Sequence, residues 1–138
     1  MSRNHWPTFT RNGWPILTRN IQCGDVPHNL PVIMKMVEYQ PLITLKLLLR
    51  DENLDLMDAY LTNGGRSIPK LIAFDEDFEN ELFTWGPRPA ALQSIIDDLK
   101  TQEIQYAEIA ESTQKWYNKD KAVELQKEFL SLLKASKI

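Results

Sequence analysis

The sequence predicts an α/β protein built on a mixed sheet, in the order strand, helix, strand, helix, strand, strand, helix, with flanking helices and one extra helix at the C-terminus. Three observations carry that expectation. Blocks with apolar residues at helical spacing alternate with short apolar runs. The run Leu42–Leu49 is interrupted only by Thr44 and Lys46, as suits a strand covered on both faces. Pro69–Phe74 and Glu81–Trp85 are two strand-like runs joined by the acidic turn Asp75-Glu76-Asp77, the pattern of a hairpin. A helix between two strands forces a parallel crossover and a hairpin forces an antiparallel pair, so the sheet has to be mixed.

The opening segment is foreign to the rest of the chain. Residues 1–24 hold three arginines but no lysine and no acid, and every one of the 19 Asp and Glu residues lies from Asp25 onward. Trp6–Asn12 and Trp14–Asn20 both read W-P-x-x-T-R-N, with the hairpin-favouring Asn12-Gly13 between them. Residues 1–20 therefore read either as a hairpin or as an irregular arm, since the prolines would confine such strands to an edge. A domain spanning 14–138 follows from it.

Within that domain, Ile16-Leu17 is a short strand that leads into a loop holding the single cysteine, Cys23. Leu30, Ile33, Met34 and Val37 then fall on one face of a helix. After Gln40-Pro41 comes the strand 42–49, and Arg50-Asp51-Glu52-Asn53 opens a second helix with Asp51 or Asn53 as its cap. Leu54, Met57 and Leu61 mark its buried side, and Asn63-Gly64-Gly65 ends it as a left-handed cap. Beyond the hairpin, Gly86-Pro87-Arg88-Pro89 is a rigid connector into a helix started by Leu92, Ile95, Ile96 and Leu99. Tyr106, Ile109, Ala110, Thr113 and Trp116-Tyr117 continue its phase, with a kink or break near Thr101-Gln102. A last helix from about Asn118 carries Ala122, Val123, Phe129, Leu130 and Leu133.

Size and charge narrow the function classes. With 138 residues and 43% hydrophobic content the chain can bury one core. A net charge of -3 and a pI near 5.4 give no basic footprint, which argues against nucleic acid as a partner. The longest apolar run is too short to span a bilayer, and no secretory signal pattern stands at the start. One cysteine cannot form an internal disulfide. The expectation is a soluble protein of a reducing compartment, most simply the cytoplasm, with no membrane partner.

Cys23 sits where a strand hands over to a helix N-terminus, where unpaired N–H groups and the helix dipole stabilise a thiolate. A lone cysteine is also a small buried hydrophobe in many folds. Asp25 is a helix cap or a proton-transfer group, and if ionised it would raise the Cys23 pKa against the helix. One cysteine and two histidines supply too few soft ligands for a structural zinc site, so no metal is expected and His28 reads as an exposed first-turn residue. No phosphate loop, nucleophile elbow or paired-histidine metalloprotease motif is present. Arg66 and Lys70, on either side of Ile68-Pro69, read as solvated.

Four blocks together carry a resemblance: Cys23-Gly24-Asp25, Asn29-Leu30-Pro31-Val32, Leu61 to Leu71, and Thr84-Trp85-Gly86-Pro87-Arg88-Pro89. In this order they resemble a bacterial branch of the thioredoxin family proteins, over the chain from about Trp14 to the C-terminus. The resemblance implies a thioredoxin-like fold, a cis peptide bond between Ile68 and Pro69, and a role in thiol–disulfide chemistry. It makes Cys23 the nucleophile with Asp25 beside it, and places substrate contacts at Gly24, Val26, Ser67, Ile68, Pro69, Trp85 and Arg88. Trp85 and Arg88 read equally as core aromatic and helix-start charge.

The chain also departs from the pattern. Val26 stands where a second cysteine of C-x-x-C would be, giving a single-cysteine C-G-D-V variant. Gln22 replaces the usual tryptophan, the loop before Cys23 is about one residue longer, and the arm replaces the upstream strand and helix, an atypical or truncated start. Without a second thiol, turnover needs an external one such as glutathione, and no resident cofactor is expected. Two functions follow: a monothiol oxidoreductase acting on protein or peptide disulfides, or a redox-inactive module that binds a peptide beside Pro69. A missing upstream strand would leave an open sheet edge, where a second copy could pair to form a homodimer.

Overall fold

In the computed structural model, which describes residues 13–18 and 24–136, the chain runs β1 (Gly13–Thr18), α1 (Val26–Glu38), β2 (Thr44–Leu49), a 3-10 turn (Arg50–Glu52), α2 (Leu54–Asp58), β3 (Lys70–Phe74), β4 (Glu81–Trp85), α3 (Ala90–Thr101), α4 (Tyr106–Asp120) and α5 (Val123–Ser136). It forms two compact units, one ending at Pro87 and the other starting at Arg88. The boundary falls inside the proline-rich connector. Cys23 and the arm up to Asn12 lie outside the described residues, and with them the hairpin expected of the W-P-x-x-T-R-N repeat. No described helix is long and apolar enough to cross a membrane.

The first unit is organised on a four-stranded sheet of order β2-β1-β3-β4. β1 pairs parallel with β2 along its whole length, from Gly13↔Thr44 to Thr18↔Leu49, and antiparallel with β3 at Ile16↔Leu71 and Leu17↔Lys70. β3 and β4 form the expected antiparallel hairpin, with an irregularity at Ala73/Phe74. The sheet is mixed for the anticipated reason: α1 makes the parallel crossover and the acidic turn makes the hairpin. That turn is held by Asp75, whose carboxylate accepts the N–H groups of Glu79 and Asn80 and the Asn80 side-chain amide.

Several local expectations are corrected, three of them in β2, α2 and the turn after it. The apolar run 42–49 is not buried on both faces. β2 is an edge strand whose only pairing among the described residues is with β1; Leu48 is buried in it, whereas Leu47 and Leu49 are 47% and 48% exposed. This is the edge to which the expectation of pairing between two copies applies.

The second correction concerns α2, which has five residues and buries Leu56 and Met57, leaving Leu54 and Leu61 exposed. The 3-10 turn before it shifts the phase, and the Asn53 side chain donates back to the Leu49 carbonyl instead of capping α2. Leu56 and Met57 pack with Leu48, Ile72 and Phe74 on one face of the sheet.

Third, Asn63 and Gly64 do not cap a helix. With φ of 51° and 78° they are the central residues of a tight turn, closed by paired N–H···O bonds of 2.9 Å between Thr62 and Gly65. Positive φ at both positions is the type I′ signature, which suits Asn-Gly.

α1 buries Val26, Asn29, Leu30 and Ile33, while Met34 is 44% exposed. The stripe is rotated by about one residue from the expected one because a polar residue, Asn29, belongs to it.

In the second unit the anticipated long helix breaks after Thr101. Glu103 takes φ 58°, its N–H bonds to the Lys100 carbonyl and that of Ile104 to the Leu99 carbonyl. This is a Schellman ending with glutamate where glycine is usual, which is why no Gly or Pro flagged it. Leu92, Ile96, Ile109 and Tyr117 form the core of α3 and α4, with Leu99, Ile104 and Trp116 against it. The Glu128 carboxylate on α5 accepts the Ala90 N–H at 2.9 Å and so caps α3 from another helix. The last helix starts at Val123 and not near Asn118. Lys121 and Ala122, at φ 52° and 64°, make the corner, and Leu125 and Phe129 are buried where Val123 and Leu130 are not.

Candidate functional site

The register of the sheet brings the β1 exit, Pro69 and Trp85 to one end of the sheet. Leu17 opposite Lys70 sets the start of β3, and so Pro69, beside the point where β1 ends and the chain leaves toward Cys23. Leu71 opposite Trp85 brings the end of β4 to the same place. The peptide bond Ile68–Pro69 is cis, as the resemblance implied, and a second cis bond, Gly86–Pro87, stands in the neighbouring segment.

Two contacts lock these segments together. Gly86 has φ +121°, and a Cβ built on it would overlap the carbonyl oxygen of Pro69 and come within 3.3 Å of the Lys70 Cα. Only a residue without a side chain lets the two backbones approach this closely. Asn29, 1% exposed in the first turns of α1, donates its side-chain amide to the Pro87 carbonyl at 3.2 Å. The start of α1 is thus tied through Pro87 and Gly86 to Pro69.

The helix start has its own chemistry. Gly24 adopts φ +64° and is exposed, and a Cβ added there would meet nothing within 4 Å among the described residues. Asp25 is 6% exposed and occupies the N-cap position, but its side chain makes no capping bond, so the cap reading does not hold. Its carbonyl takes the N–H of Asn29, the first regular bond of the helix, and also that of His28, which a helix usually leaves open. Pro27 contributes no N–H. The donors open to an anion at this end are therefore fewer than four, the number a helix usually leaves. His28 is half-buried in the first turn.

The remaining site residues divide by burial. Val26 is completely buried and Trp85 is 5% exposed, so their side chains pack beneath the site and offer it little surface. Ile68 is half-buried with its side chain against the Leu56/Met57 cluster. Ser67 is half-buried and Pro69 buried. Arg88 is half-buried and opens the second unit.

Arg66 and Lys70 are not simply solvated. Arg66 grips the Asp58 carboxylate with two bonds of 2.7 and 3.0 Å, and its own carbonyl accepts from Arg50. The hydrogen bond from Arg66 holds the Asp58 carboxyl below its usual range, and the same bond raises the guanidinium. Both groups face water, so the pair orders the loop before Pro69 and adds little stability.

Lys70 is 9% exposed and donates to the Thr62 hydroxyl at 3.3 Å. Burial pushes its ammonium below the ordinary lysine range, against the opposing pull of Glu81. The native state therefore binds fewer protons than the unfolded chain between the depressed pKa and the ordinary one, and stability rises with pH across that window. Lys70→Met is expected to raise stability at pH 7 by roughly 1 kcal/mol, with the gap to wild type closing as pH rises through the window. Urea unfolding at several pH values checks this, and a gap that does not change with pH would count against it.

Sequence reasoning missed Asn29, Gly86 and the burial of Lys70. The Gly86-Pro87 dipeptide was a visible signal of special backbone; nothing marked Asn29 as a core residue.

A family model described as Thioredoxin matches residues 10–100. No curated protein matches the chain. Among solved structures, the chain is similar to the crystal structure of an HIV epitope-scaffold, at 24% identity and a TM-score of 0.48, covering 65% of this chain and 59% of that one.

Proposed function

The chain belongs to the thioredoxin family, and on that premise we propose that it is a single-thiol member, of the bacterial branch its four blocks resemble, that reduces mixed disulfides in a cytoplasm where glutathione is the external thiol. The one observation that supports this reading is the convergence of the β1 exit, Pro69 and Gly86-Pro87 at one end of the sheet, five positions before Cys23 (23 minus 18). In the cycle the Cys23 thiolate attacks the glutathione sulfur of a glutathionylated protein. The S–S bond breaks, the protein thiolate leaves and takes a proton from solvent, and Cys23 is left joined to glutathione. A second glutathione thiolate attacks that bond, releasing glutathione disulfide and restoring the Cys23 thiolate. The substrate lies extended along Ser67, Ile68 and Pro69, with Gly24 and Asp25 following Cys23 in the chain as its loop.

A second reading is a redox-inactive peptide-binding module. The observation in its favour is the short supply of N–H donors at the start of α1, where Pro27 has none and the Asp25 carbonyl takes that of His28.

Alkylation of Cys23 by iodoacetamide as a function of pH separates the two. The oxidoreductase reading expects a midpoint well below about 8.5, the value of a free cysteine, and loss of glutathione-dependent turnover on a glutathionylated peptide in Cys23→Ser. A midpoint at or above that value, with the wild type turning over no faster than Cys23→Ser, overturns it and leaves the binding module.

A further inference from the structure

We propose that the cleft between α3, α4 and the start of α5 is a binding site for a small amphipathic carboxylate, a free medium-chain acid, with its apolar body against Ile95, Trp116 and Val123 and its head at the Lys119 ammonium. The cleft has a volume of about 520 Å³ and is lined by these four residues and Asp120, within the size range of small-molecule sites.

Its walls are apolar surface that the fold leaves open. Ile95 is 41% and Val123 45% exposed, and Trp116 is half-buried with its ring edge-on to Tyr117 at 5.5 Å. Burying such side chains under a ligand is favourable at roughly 25 cal/mol per Å² of apolar area.

The charges select the head group. Two nearby lysines are already paired, Lys115 with Glu111 at 2.9 Å and Lys127 with Glu124 at 3.6 Å, and Lys121, in the corner after α4, does not line the cleft. Lys119 is exposed and takes part in no ion pair among the described residues. Asp120 also lines the cleft, but its carboxylate accepts the Glu124 N–H at 3.2 Å, at the positive end of the α5 dipole, which offsets its charge. Among the residues lining the cleft, the uncommitted charge is one ammonium beside an apolar floor. One cation matches a single carboxylate; a phosphate would call for more than one. The corner at Lys121 and Ala122 separates α4 from α5, and residues on both sides of it, Trp116 and Val123, line the cleft.

The test titrates the full chain with octanoate, followed by calorimetry and by the NMR signal of the Trp116 indole N–H, with octanamide as the uncharged control. The expected result is saturable one-to-one binding of octanoate that shifts the Trp116 signal. Lys119→Met should weaken it about two- to fivefold, the range an exposed charge contact supplies, while octanamide binds wild type and variant alike. Val123→Asp, at a helix start that tolerates an acid, should weaken both probes. Absence of saturable binding, or equal octanoate affinity in wild type and Lys119→Met, overturns the proposal.

Discussion

Gly86→Ala is expected to destabilise the protein by about 3–5 kcal/mol, the sum of the cost of a strained backbone conformation and that of overpacking. The added Cβ would overlap the Pro69 carbonyl oxygen and lie 3.1 Å from the Pro69 carbonyl carbon and 3.3 Å from the Lys70 Cα. All three are backbone atoms, so no rotamer change relieves the overlap. Either β3 moves away from β4 at this end or Gly86 leaves its φ of +121°; each disrupts the site end of the sheet. Gly24 and Gly64 are the internal controls. Both have positive φ, but a Cβ added at either would meet nothing within 4 Å among the described residues, so alanine there meets only the backbone penalty, about 1 kcal/mol. Thermal unfolding followed by circular dichroism should put Gly86→Ala roughly 10–20 °C below wild type and the controls within about 5 °C. Equal losses at all three glycines would mean that Gly86 and Pro69 are not in contact.

The contrast between those glycines also shows where sequence reasoning reached and where it stopped. The hairpin from Lys70 to Trp85 was legible because both strands and the turn are local: apolar runs of strand length bracket residues that favour a turn. The meeting of the β1 exit with Pro69 belongs to the thioredoxin-like arrangement that the element order implies, because a crossover followed by a hairpin leaves few ways to order the strands. The exposure of the side chains on β2 was not legible. Leu47 and Leu49 read as core by type, yet β2 pairs on one side only among the described residues and they are half exposed. The phase of α2 was lost to a 3-10 turn that has no sequence mark, and the end of α3 to a glutamate standing in the usual place of a glycine. At the site, Pro69 and Gly86 announce themselves by residue type. Asn29 does not, because its place in the core depends on a carbonyl 58 positions away. Local pattern cannot report a partner that only the fold supplies.

Asn29→Ala is the second large loss expected, about 2–4 kcal/mol. Part comes from leaving the buried Pro87 carbonyl without the amide that now bonds to it at 3.2 Å, and part from the space vacated by a side chain 1% exposed. Asn29→Asp sharpens the test, since it keeps the shape but turns an oxygen toward the carbonyl in place of a donor. It should cost at least as much as alanine, whereas a purely space-filling role for Asn29 would make it the milder change. Because Asn29 holds Pro87 and Gly86 rests on Pro69, both substitutions act on one segment, and their effects should not add. Once Gly86→Ala has forced that segment away from Pro69, the Asn29 amide has less to hold. The double variant is then expected to lose about 1 kcal/mol or more less than the sum of the singles, measured by urea unfolding. Strict additivity would separate the two contacts and remove the physical link between the start of α1 and Pro69.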